Sequence, residues 1–65
     1  MQIEYFDDTD TLLIIFNDNP VIDTIDINED VLAEFDQDGH IVSMTVEHVK
    51  AHNIDLNSLN YKIAA

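Results

Sequence analysis

The chain has 65 residues, a formal net charge of −12 and no cysteine. That length allows one domain, 1–65, with a thin core, because a chain of this size buries only about 60% of the surface its unfolded form exposes. Disulfides and thiolate zinc sites are excluded as staples, so packing against another chain gains weight as the route to stability.

Fourteen acidic residues stand against two cations, Lys50 and Lys62. Binding to phosphates depends on Lys and Arg releasing condensed counterions, so direct nucleic-acid binding is not expected. An anionic membrane surface repels such a chain for the same reason, whereas a basic protein attracts it. Disorder is the other reading of high charge, but 46% of the residues are apolar and only one Gly and one Pro occur. Those apolar residues recur in ordered runs, and the chain is expected to fold. Residues 1–10 show neither a basic start nor an apolar stretch of secretory type. The longest apolar run, Leu12 to Phe16, is too short to span a bilayer. A cytoplasmic location is the expectation.

In chain order, five short apolar stretches alternate with acidic turn clusters, the pattern of an antiparallel sheet. Gln2 to Phe6 alternates Ile3 and Tyr5 with Gln2 and Glu4, and Asp7-Asp8-Thr9-Asp10 turns the chain. Thr11 to Phe16 follows, ending at the turn formers Asn17-Asp18-Asn19-Pro20. Val21 to Ile27 is the third stretch, and Asn28-Glu29-Asp30 a further turn. Val31 to Phe35 places Val31, Ala33 and Phe35 on one face by period two. Asp36-Gln37-Asp38-Gly39 reads as a hairpin loop, with Gly39 free to take the left-handed conformation, and Ile41 to Val46 returns as the fifth strand.

The pattern changes after Glu47. Glu47 to His52 predicts a short helix with Val49 as its apolar contact, stopped by Asn53. Asp55 or Asn57 then caps a last turn that carries Leu56 and Leu59. The expected fold is α+β and mostly β: a meander-like antiparallel sheet of four to five strands over 1–47, and a helical or irregular segment over 48–65.

The second strand stands apart. Leu12 to Phe16 is apolar on both faces, so Leu13 and Ile15 need cover on the side that a lone sheet would leave wet. Either Val49, Leu56 and Leu59 fold over that side or another chain does.

In their order, Ile3-x-Tyr5, Asp10-x-Leu12-x-Ile14-x-Phe16, Val21 through Ile27 and Asp36-x-Asp38-Gly39-His40-Ile41-Val42 resemble a known family. It is the one catalogued as domain of unknown function 2283, bacterial and archaeal, and the resemblance covers roughly residues 1–50. It implies antiparallel strands with a short C-terminal helix, and no activity. It also implies partners like the small toxin-like proteins of mRNA-interferase type, and hence an antitoxin role. Four positions depart from the family pattern: Phe6 where Asp is usual, Leu13 for Tyr, Ile15 for a polar residue and Asp30 for Gly. The first three add apolar surface and make Phe6, Leu13 and Ile15 the candidate interface.

Other constellations are weaker. Glu34, Asp36, Asp38, Gly39 and Ile41 fall at EF-hand loop positions, but Thr45 stands where the bidentate carboxylate belongs and the flanks are β-type. His48 and His52 have the spacing for a shared zinc ion, with no third ligand evident, and His40 reads as a turn residue. Asp7, Asp8 and Asp10 resemble an acid–base set, yet an open turn lacks the burial that raises a carboxyl pKa. Ser43 and Ser58 lack a nucleophile-elbow context, and no glycine-rich phosphate loop occurs. No catalytic, metal or cofactor site is expected, and the chain reads as a non-enzymatic module for a basic partner. A structural homo-oligomer paired through Leu13 and Ile15 is the alternative, and weak metal binding a third.

Overall fold

The β-branched and aromatic runs form strands where they alternate with polar residues, and the Asp- and Asn-rich clusters turn the chain between them. The computed structural model describes residues 1–58 and 60–64. Its strands are β1 (Gln2–Phe6), β2 (Thr11–Ile15), β3 (Asp23–Asp26), β4 (Val31–Phe35) and β5 (Ile41–Val46). They form one open antiparallel sheet in the order β1-β2-β5-β4-β3.

This order corrects the expected meander at one step. β2 pairs with β5, not with β3, so the segment after β2 crosses to the far edge of the sheet. The chemistry of the strands explains the choice. β2 is apolar on both faces and gains from two neighbours, whereas the short, charged Asp23-Thr24-Ile25-Asp26 suits an edge, where its carboxylates discourage pairing with another sheet. The crossing loop is tied to the β4–β5 hairpin by two asparagines. Asn17 Nδ2 donates to the Ile41 carbonyl at 3.1 Å, and Asn19 Nδ2 to Asp36 Oδ2 at 3.0 Å.

The expected short helix is corrected to a single 3-10 turn, Val49–His52. His48 and Asn53, at its two ends, both take left-handed backbone conformations, with φ of 55° and 57°. Four residues between two such reversals are too few to nucleate an α-helix. Instead the turn is pinned to the β1–β2 turn, where Asp10 accepts from the Val49 N–H through its carbonyl and from the Lys50 N–H through Oδ2. The expected capped turn follows, with Asp55 Oδ1 accepting from the Asn57 N–H at 2.9 Å. Leu59 lies outside the described residues.

Only Leu12, Ala33, Val42 and Val49 are buried apolar residues among those described, and Val49 alone is both bulky and fully enclosed, at 1% exposure. Val42 is the extra residue of a register shift, since Glu34 faces Ser43 while Phe35 faces Ile41. Such a bulge bends and twists the sheet locally.

Candidate functional site

Because side chains alternate and directly paired residues share a face, the register sorts the strand residues into two surfaces. On one, Ile3, Ile14, Met44, Ala33 and Ile25 form an unbroken apolar row across all five strands. Beside it run Tyr5, Leu12, Val46 and Val31. The C-terminal segment lies on this side: Ile54 and Leu56 border a hollow with Ile3, Tyr5, Leu12 and Ile14.

The opposite surface has a different order. Its central row reads Glu4, Leu13, Thr45, Leu32 and Asp26, two leucines about a threonine with an acid at each edge. The next row reads Gln2, Ile15, Ser43, Glu34 and Thr24, and Phe6 adjoins through its pairing with Thr11. Ser43 is buried and donates to Glu34 Oε1 at 2.7 Å. Leu13, Ile15 and Leu32 are half-buried and Phe6 is 42% exposed. The three residues singled out from the sequence, Phe6, Leu13 and Ile15, thus stand together on one surface. Val49 and Leu56, considered as its cover, sit on the other side of the sheet.

The sequence alone does not assign Leu32, Glu4 and Asp26 to this surface, where with Thr45 they complete the central row. Period two within each strand was legible, but placing Leu32 beside Leu13 requires knowing that β5 inserts between β2 and β4. The two cations lie off the strands, Lys50 in the 3-10 turn and Lys62 in the tail. Asp26 continues into an acidic hollow with Glu29, Asp30 and Glu47.

The remaining candidates resolve into structural roles. Asp36, 7% exposed, accepts at Oδ1 from the N–H groups of Asp38 and His40, both at 2.9 Å, and at Oδ2 from Asn19. These donors, the His40 N–H first, hold its carboxyl below the usual carboxylate range. Asp36, Asp38 and His40 bring one possible ligand atom each within 4.8 Å of one another. Asp36, however, has both oxygens engaged in organising the β4–β5 hairpin, which is not the flank of an EF-hand. Asp10 accepts from the Tyr5 hydroxyl at 2.6 Å, which lowers its carboxyl and pushes the phenol up to about 12. Asp7 and Asp8 stay exposed. His48 and His52 both point at Asp30, Nδ1 to Oδ1 at 2.7 Å and Nε2 to Oδ2 at 3.0 Å, one carboxylate holding both rings. From the sequence Asp30 reads only as a turn residue and a departure from the family's Gly.

Among the described residues no helix is long and apolar enough to cross a membrane. The model of the family described as protein of unknown function (DUF2283) matches residues 2–50, the whole sheet and the start of the 3-10 turn. No curated protein and no solved structure matches the chain.

Proposed function

The chain belongs to the family described as protein of unknown function (DUF2283), and with no activity to carry over from it we propose a role from surface chemistry: a non-enzymatic protein-binding module whose partner is basic. The observation that carries this reading is the row Glu4–Leu13–Thr45–Leu32–Asp26, a strip of two half-buried leucines about a threonine, closed at both ends by carboxylates. An apolar patch supplies the contact area and an acidic rim steers and orients a cationic partner. The net charge of −12 extends that attraction over roughly a Debye length, about 10 Å at 0.1 M salt. A small basic toxin-like protein of nuclease type has the matching chemistry, and neutralising one is the role we put first.

The reading is tested by capture from cell extract on the immobilised chain at low and high salt, beside the Leu13→Lys variant. We expect a basic protein retained at low salt, released at high salt, and held at least about tenfold less well by the variant, since a cation then sits within the strip beside Glu4. Retention indifferent to salt and to Leu13→Lys would contradict it.

A further inference from the structure

The mostly apolar side of the sheet is only half covered. The C-terminal segment borders a hollow with Ile3, Tyr5, Leu12 and Ile14 on β1 and β2, burying Leu12 while Ile3 stays 43% exposed. Toward β3 the sheet lies open: Ile25 is 46% and Ile27 57% exposed, and Val31, Phe35 and Met44 are half-buried. The residues that are buried there, Ala33 and Val42, are small enough to be occluded by their neighbours on the sheet.

The whole molecule exposes more surface than its mass requires. The chain exposes 5143 Å², whereas a folded monomer of its 7.4 kDa mass exposes about 4200 Å². Its radius of gyration is 12.9 Å, against about 10.7 Å for a compact chain of this length. Both excesses come from a slab of 34 × 33 × 18 Å and its extended tail. The surplus of about 900 Å² is shared between the open sheet face and the tail, and is of the order of the roughly 800 Å² per partner that a stable interface buries.

Charge selects the occupant. Two copies, each at −12, repel across almost every surface. On the apolar side the strands carry one carboxylate, Asp23 at the β3 edge, while the opposite side would set Glu4, Asp26 and Glu34 against their equivalents. A basic partner finds only the edge carboxylate of Asp23 to pair with on the apolar side, but a second copy presents the same largely uncharged area and closes with it about a two-fold axis. We propose that the open half, Ile25, Val31, Phe35 and Met44, packs face to face against the same residues of a second copy. This leaves the acid-edged side of both sheets outward, and it is independent of the reading given to that side.

Salt separates this contact from binding of a basic partner, because screening the mutual repulsion strengthens it. Sedimentation equilibrium on the full chain at low and high salt is the test. We expect about twice the 7.4 kDa chain mass, with the dimer favoured by salt, for wild type and for Leu13→Lys, and the monomer mass for Ile25→Lys. A monomeric wild type would overturn the proposal and leave the face to a different protein. A dimeric Ile25→Lys, or a monomeric Leu13→Lys, would overturn it in favour of the other face. Should Ile25→Lys fail to fold by circular dichroism, the wild-type melting temperature decides. It rises with protein concentration if the dimer exists, and a concentration-independent value contradicts it.

Discussion

Asp10 shows how a residue that reads as one acid of a turn becomes a junction. Its φ of 54° turns its carbonyl and carboxylate toward three donors, Tyr5 Oη and the Val49 and Lys50 N–H groups. Asp10→Ala should therefore lower the melting temperature and speed amide exchange at Val49 and Lys50 while leaving β4 and β5 protected; uniform protection would contradict this. Val49 is the deepest side chain the junction holds down. Removing two of its carbons in Val49→Ala should cost about 2 kcal/mol, measured by urea denaturation. At Gly39, φ is 80° and an added Cβ meets no atom within 4 Å. Gly39→Ala should then cost only the left-handed backbone strain, about 1 kcal/mol.

Asp30 and His48 link stability to pH. The Asp30 carboxylate, foremost through its hydrogen bond, raises His48 above its ordinary 6.5, and His48 in turn lowers Asp30 below 3.8. The His48 contribution is complete below the unfolded value and is lost as pH rises through the raised one. The Asp30 contribution is present above the unfolded carboxylate value and is lost as pH falls through the lowered one. The pair thus stabilises most between about pH 4 and 6.5. Thermal melts of wild type and Asp30→Asn should differ most in that window and converge as pH rises past the His48 transition; a constant difference up to pH 9 or so would contradict the linkage.

At the scale of elements, strand existence was legible because alternation and turn chemistry agree. β1, β4 and β5 run between the residues at which the pattern places them, Gln2–Phe6, Val31–Phe35 and Ile41–Val46. The third stretch, read as Val21 to Ile27, keeps regular pairing only over Asp23–Asp26, because Ile22 already bonds out of register to the Phe35 carbonyl. The helix was not legible as what it is. The spacing of Val49 suits a helix, but the left-handed His48 and the hold of Asp10, forty residues before Lys50, are tertiary facts. Sheet order escaped for the same reason: the apolar character of β2 signals an interior strand without saying which neighbour it gains. Phe6, Leu13 and Ile15 were legible as a surface because they stand in two adjoining strands, whereas Leu32 and Asp26 reach it only through the β2–β5 pairing.

At the scale of the molecule, one thin sheet separates two chemistries. One side is an apolar area with a single edge carboxylate, half covered by the chain's own tail; the other is a narrow strip between acidic edges. The core is small, and the carboxylates lie in turns and mostly along one side of the sheet. The central claim is that a basic protein docks on the acid-edged strip. Its most direct test is amide chemical-shift mapping of the isotope-labelled chain as the captured basic partner is added at low salt. The account predicts shifts at Glu4, Leu13, Leu32, Thr45 and Asp26, reversed by high salt, with Ile25 and Met44 unmoved. Shifts confined to Ile25, Met44 and Phe35, or persisting unchanged at high salt, would contradict it.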